Sequence, residues 1–356
     1  ARREGLFDAM EGRLYLPRGR PIAGQRPTLV HEICHALQAQ NLRLRRFTRR
    51  FANNSDRRLA RLALVQGDCT GVMLEDALRG SGVDLGSSGA LVHRLLARRA
   101  LTRRARLPRR GSGPTFLRRV MLFPHRAGLR FVQRLRKRSG WRRISDLYRR
   151  RPPETSEQVL HYEKFRRRER PVSVRARQLP ALVGWRRIKV DTWGEALLRA
   201  LLAEHLPLAV ASRAAAGWGG DRQVAYLPPL APTTARPSKP AKPGKPAKPS
   251  EGASEGQEAL PLVLHLTVWD SAADAREFHN AVQRWFRRRH RDAQRAASST
   301  LQIYRAKDGS EASVQRHRRA VALIFGAPPA LRGQLQSQLW RRWRISGRKV
   351  SPPPQE

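Results

Sequence analysis

Apolar positions recur at helical spacing through the front half of this chain and at strand spacing through much of the back half. Thr28–Gln40 reads as a helix that is apolar on nearly every side. Leu29, Val30, Ile33, Cys34, Ala36 and Leu37 leave little polar surface, the pattern of a buried helix. Pro27 stands just before it, where a helix start tolerates proline. Residues 5–20 read as a short hairpin or edge strand leading in. A second long helix is expected from a cap at Ser55 to a stop at Gly80. Its apolar stripe is Leu59, Leu62, Ala63, Gln66, Cys69/Thr70, Met73 and Ala77. The opposite side carries Arg57, Arg61, Asp68, Glu75 and Arg79. This periodicity aims Gln66 inward and puts Asp68, about 200° further round, on the polar side.

The rest of the chain divides by the same signals. A helix is expected near Ala90–Arg99, and Pro114–Arg138 reads as two helices broken at Pro124. Thr155-x-x-Gln158 is a capping box that opens a short helix and delivers His161. Strands are expected at Trp185–Val190, Gln223–Leu227, Leu262–Trp269, Leu301–Tyr304, Val314–Arg318 and Ala320–Phe325. Helices are expected from Asp191 through Leu202, over Leu208–Ala216, after Ser271-x-x-Asp274 with a stripe of Phe278, Val282 and Trp285/Phe286, and from Pro328-Pro329 to Trp340. The glycines of Gly217–Asp221 read as a turn into a strand, not as a phosphate loop, because no strand-then-helix context surrounds them. The Lys-Pro run from Arg236 to Ser250 is low-complexity and extended. The strands on either side of it read as a hairpin with the run as its loop. The fold class is therefore α+β, divided as 1–228, an insert at 229–258, a C-terminal part at 259–345 packed on the first, and a tail at 346–356.

Composition adds one feature. The 356 residues hold 72 Lys+Arg against 28 Asp+Glu, a formal net charge of +44, and 63 of the basic residues are arginine. Such charge implies non-specific affinity for polyanions, nucleic acid included. The arginines are scattered from end to end, which points to biased codon usage as much as to a binding face. An apolar fraction of 40% supports a core, and no apolar run is long enough to span a membrane. The chain starts at Ala1 with neither methionine nor signal peptide, and so reads as a processed form.

The candidate chemistry lies in the first helix. His31-Glu32-Ile33-Cys34-His35 is His-Glu-x-x-His. Histidines one turn apart on one helix face can hold a single zinc ion, and Glu32 beside them can take a proton from water. A site of this type wants a third protein ligand from a later helix, and Gln66 is the residue that periodicity aims at it. Gln66 has two readings. It is a weak, neutral zinc ligand, or it is a glutamine hydrogen-bonded to His31 or His35 in an inactive site. Cys34 and Cys69 flank these positions. The favoured reading is two small apolar fillers; a disulfide pinning the helices and a thiolate ligand are the alternatives.

Several motifs together carry a resemblance. They are His31–Gln40, Val65-Gln-Gly-Asp-Cys69, Phe123-Pro124, the stretch from Pro152 through Glu-Thr-Ser-Glu-Gln-Val-Leu-His161 to Phe165, Gly217-Trp-Gly-Gly-Asp221 and Trp269-Asp-Ser271. In this order and over most of the chain they resemble a family of bacterial zinc metallopeptidases of the gluzincin type. The resemblance implies a zincin-like helical core with an active-site helix. It further implies Zn²⁺ as cofactor, a peptide or protein substrate, a secreted or cell-envelope location, and His161 as a group stabilising the oxyanion. Read from its spacing alone, His161 is more readily a capping or core histidine, because nothing in the spacing ties it to the first helix. The sequence departs from the family pattern at Gln66, where the family has glutamate, at Tyr162, where it has proline, and at Ala39, where it has aspartate.

The expected reaction is peptide-bond hydrolysis by a metal-activated water. His31, His35 and Gln66 hold the metal, and Glu32 is general base and then proton donor. Two other classes stand beside it: a degenerate peptidase scaffold that binds a partner, which Gln66 favours, and a polyanion binder acting through the basic surface.

Overall fold

The computed structural model describes residues 5–19, 21–49, 51–82, 115–229, 261–289, 294–298, 300–306, 309–346 and 348–349. The helix expected near residues 90–99 and nearly all of the 229–258 insert lie outside the described residues. In chain order, a hairpin of β1 (Leu6–Asp8) and β2 (Arg13–Tyr15) leads into α1 (Ile22–Asn41), the short α2 (Leu44–Arg49) and α3 (Ser55–Ala77). Then follow α4 (Thr115–Arg149), α5 (Ser156–Leu160), α6 (Tyr162–Arg167), β3 (Val174–Arg175), β4 (Arg186–Asp191), α7 (Gly194–Leu202), α8 (Leu208–Ala215) and β5 (Trp218–Leu227). The chain continues as β6 (Leu262–Trp269), α9 (Ala272–Arg289), β7 (Gln294–Ala297), β8 (Leu301–Arg305), β9 (Glu311–His317), β10 (Ala320–Ala327), α10 (Pro329–Arg342), β11 (Arg344–Ile345) and β12 (Arg348–Lys349). The protein is α+β, with a helical front and a C-terminal antiparallel sheet carrying helices.

The sheet has seven strands in the order β4-β5-β6-β10-β9-β8-β7, every neighbour antiparallel. β5 and β6 pair directly, Val224 opposite Leu264 and Tyr226 opposite Leu262, so the strands flanking the Lys-Pro run do form a hairpin. Helices cover both faces, which is why the central strands bury nearly every residue instead of every second one. Leu262, Leu264, Leu266, Ala322 and Ile324 face Leu335, Leu339, Trp340 and Trp343. Trp269, Val321 and Leu323 face Phe278, Val282, Phe286, Leu198 and Leu202 on the other side. The expected glycine turn narrows to Gly217, at φ 77°, and β5 already begins at Trp218, so Asp221 lies within the strand. Its carboxylate accepts from the backbone N–H of Trp193 (2.9 Å) and Gly194 (2.8 Å) and from Trp218 Nε1 (3.0 Å), capping the start of α7.

The front half centres on α3, which lies between α1 and α4. Its N-cap is Asn54, whose side chain accepts from Arg57 N at 2.8 Å; Ser55, the expected cap, instead donates to Asp191. Gly67 and Gly128 let α3 and α4 cross in backbone contact. A Cβ on either would overlap the other helix. Packed on two sides, α3 buries residues all round, including Arg61, which pairs with Glu154 and stacks over Phe47 at 4.7 Å. The expected polar side is thus covered at Arg61, while Arg79 beyond the helix end is exposed. α4 passes through Pro124 without ending, and its non-helical residue is Gly140, at φ 66°. Beyond Gly140 the run continues to Arg149 and buries Ile144 and Leu147.

α1 differs from expectation in two ways. It starts at Ile22, so Pro27 lies inside it. It is also not an all-round buried helix. Its buried residues are Gln25, Thr28, His31 and Gln38, while Ile33 and Leu37 are exposed at 44% and 54%. The helix turns its polar stripe toward α3, because that stripe carries the groups with partners there.

Candidate metal centre

α1 and α3 run antiparallel. Arg26 binds Asp76 with two hydrogen bonds (2.8 and 2.9 Å), and Gln38 Nε2 reaches Val65 O at 3.3 Å. Between these ends, the one-turn spacing of the histidines brings them to one point. His31 Nε2 and His35 Nε2 lie 3.1 Å apart, and each is 3.3 Å from Gln66 Oε1. A tetrahedral zinc ion with bonds of about 2.0–2.1 Å separates its ligand atoms by about 3.3–3.4 Å. The inward aim of Gln66 read from periodicity is observed.

Proton accounting tests whether a cation fits. The Asp68 carboxylate accepts from Gln38 Nε2 at 2.7 Å and from the Tyr148 hydroxyl at 3.0 Å. A carboxylate only accepts, so the amide of Gln38 is fixed, with Nε2 toward Asp68 and Oε1 toward His35 Nδ1 at 3.0 Å. That contact requires the His35 proton on Nδ1 and leaves Nε2 a lone pair. Gln66 Oε1 carries no proton. Three polar atoms therefore converge with at most one proton, on His31, to share. Such a donor set suits a divalent cation, and the Asp68–Gln38–His35 chain would be the outer support that orients His35 toward it.

This corrects the placing of Asp68 on a polar side. It faces the end of α1 and Tyr148 of α4, because α3 has neighbours on both flanks. Burial pushes its carboxyl above the ordinary range, opposed by the Gln38 and Tyr148 donors; burial also holds the Tyr148 phenol well above its usual value. Gln38 was legible, since 31, 35 and 38 share one helix face; Tyr148 was not, lying 80 residues beyond Asp68. The reading of the cysteines as apolar fillers is also corrected. Cys34 and Cys69 form a disulfide between α1 and α3, with Cα atoms 5.4 Å apart, where the antiparallel packing sets them face to face. Cys69 Sγ lies 3.4 Å from His35 Nδ1.

Glu32 follows His31 on α1, and its Oε2 accepts from the backbone N–H of Phe7 in β1 at 2.9 Å. The N-terminal hairpin thereby holds the carboxylate. His161 ends α5, and its Nε2 is engaged by Glu195 Oε1 at 2.9 Å, where α7 begins. The hydrogen bond that His161 donates to Glu195 raises the His161 pKa, and burial raises that of Glu195.

A third imidazole, which the sequence reading missed, stands by the ligand atoms. The ring of His125 on α4 is 6.0 Å from that of His31. His125 and Gln66 line one cleft of about 430 Å³, with apolar walls from Leu59, Leu62, Val120, Met121 and Leu197. The sequence signal was its place directly after Phe123-Pro124, obscured by expecting a helix break there.

Carboxylates also gather elsewhere. Glu157, Glu169 and Asp270 bring oxygens within 4.8 Å of one another. Lys164 Nζ fills the centre, at 2.7 Å from Glu157 and 2.8 Å from Glu169, and also bonded to Asp270. The Lys164 ammonium is thus already paired with all three carboxylates.

Residues 248–335 match a family model described as a domain of unknown function (DUF8575), a stretch that includes β6 through β10 and the start of α10. No curated protein and no solved structure matches the chain. No described helix is long and apolar enough to cross a membrane.

Proposed function

We propose that this chain is a zinc-dependent peptidase of the gluzincin type whose third ligand is a glutamine. The convergence of His31 Nε2, His35 Nε2 and Gln66 Oε1, all 3.1–3.3 Å apart, carries the reading. These three residues would hold the metal. Bound there, zinc supplies Lewis acidity, which polarises a carbonyl and acidifies water. Glu32 takes the proton of the attacking water as the water oxygen adds to the carbonyl carbon. It delivers that proton to the amine nitrogen as the C–N bond breaks. The apolar cleft beside Gln66 suits a substrate with an apolar side chain next to the scissile bond. The Cys34–Cys69 bond supports a secreted or cell-envelope setting, where disulfides persist.

A second reading, a binding scaffold that cuts nothing, is favoured by Gln66 itself. It leaves the site one negative charge short of a carboxylate-ligated centre. Zinc content of protein purified without chelator, for wild type and His35→Ala, tests the metal. Near-stoichiometric zinc in the first and almost none in the second is expected, and equal contents would sink the assignment. A peptide-library digest then separates peptidase from scaffold.

A further inference from the structure

We propose that His125 is a catalytic residue of this site. In this role its imidazole donates a hydrogen bond to the substrate carbonyl oxygen as negative charge develops there. The proposal rests on the zinc reading above. Three observations lead to it.

The first is how the fold seats the ring. Gly67 immediately follows Gln66, and Gly128 lies one turn after His125. Because a Cβ on either glycine would overlap the opposing backbone, α3 and α4 make their closest approach here. That crossing lays the His125 turn of α4 over the Gln66 turn of α3. Pro124, itself buried, stands between Phe123 and His125 without interrupting the helix, so the ring is carried by a rigid element.

The second is distance. An imidazole ligand sets its ring centre about 3.1 Å from a zinc ion, so two such ligands on a tetrahedral centre have ring centres about 5 Å apart. His31 and His35 are 4.7 Å apart, as co-ligands require. His125 is 6.0 Å from His31, beyond that spacing yet close enough to reach an oxygen held at the site. It stands outside the ligand set, in the position of a donor to the reacting group.

The third is the cleft. His125 and Gln66 line the same cavity, so a peptide seated against its apolar wall runs past both. His161, the histidine to which the family resemblance gives this role, bonds Glu195 through Nε2 and is not among the residues that line this cleft. A donor aimed where charge develops in the transition state acts on kcat more than on ground-state binding.

The test uses the full chain loaded with zinc, as wild type, His125→Ala, His125→Gln and His161→Ala. Zinc stoichiometry is measured first. The affinity of a dipeptide phosphonate is measured next, since its tetrahedral oxygens mimic the charged adduct. His125→Ala should keep its zinc and bind the phosphonate more weakly, with kcat falling about 100- to 1,000-fold and KM nearly unchanged. His125→Gln, which retains a donor, should recover much of the loss, and His161→Ala should bind the phosphonate as wild type does. Loss of zinc in both His125 variants would make the residue a ligand and overturn the proposal. So would unchanged phosphonate affinity in His125→Ala, or a loss confined to His161→Ala. A wild type that binds zinc and phosphonate but cleaves no peptide would sink the peptidase reading and the catalytic role of His125 with it, whereas a wild type that cleaves peptide with an unaffected His125→Ala would sink the His125 proposal alone. A wild type without zinc would sink both.

Discussion

Asp68→Asn is the change that most sharply tests the metal centre, because it leaves the ligand atoms untouched. Asp68 supports His35 through Gln38. Its Oδ2 receives Gln38 Nε2 at 2.7 Å, and Gln38 Oε1 receives His35 Nδ1 at 3.0 Å. Asparagine has nearly the same shape and can still offer one oxygen to Gln38 and Tyr148. It lacks the charge that makes His35 a more basic ligand and fixes the Gln38 amide. Removing outer support of this kind typically weakens metal binding about 10- to 100-fold, or about 1.4–2.7 kcal/mol. Tyr148→Phe removes one of the two donors to Asp68 and leaves the charge, so its effect should be smaller than that of Asp68→Asn. Competition titration against a fluorescent zinc chelator gives both numbers. The order matters as much as the size. Wild-type affinity in Asp68→Asn, or a larger loss in Tyr148→Phe, would refute the Asp68–Gln38–His35 relay.

Other outcomes follow from the same geometry. Gln66→Glu is nearly isosteric and adds a negative charge 3.3 Å from both imidazole nitrogens, so zinc binding should tighten by about 1–2 kcal/mol; unchanged affinity in the same titration would mean that Gln66 does not touch the metal. The disulfide closes a loop across a sequence separation of 35 residues. The double variant Cys34→Ser with Cys69→Ser should therefore lose about 3–4 kcal/mol of stability by chain entropy. It should also bind zinc more weakly because α1 is no longer pinned to α3. Urea denaturation and the chelator titration measure the two effects, and a midpoint equal to wild type would count against the disulfide as a brace. With a formal charge of +44, DNA binding should weaken steeply with salt and show no sequence preference, which a competition gel shift would contradict by revealing one strongly favoured sequence at physiological salt.

Local periodicity alone made much of this protein legible. The turn-spaced pair His31 and His35, the inward stripe that carries Gln66, and the Phe278–Val282–Trp285 face of α9 follow from the 3.6-residue repeat. The back strands and the capping box at Thr155, whose side chain accepts from Gln158 N at 3.1 Å, follow from equally local rules. What periodicity gives is an angle around a helix axis. It does not say which angles are covered, and coverage depends on how many neighbours the helix has. α3 has neighbours on two sides, so Asp68 and Arg61 are inward although they lie opposite the apolar stripe. α1 is only partly covered, so Ile33 and Leu37 face outward while its polar residues meet Gln66, Asp68 and Cys69 across the interface. The Cys34–Cys69 bond, the relay through Tyr148 and the approach of His125 each join residues 35 to 94 positions apart. These contacts exist only because α1 and α4 pack on either side of α3, the latter where two glycines let backbones touch. The sequence by itself determined the helices and which residues share a face; tertiary packing decided which faces meet, and so which side chains surround the candidate metal ligands.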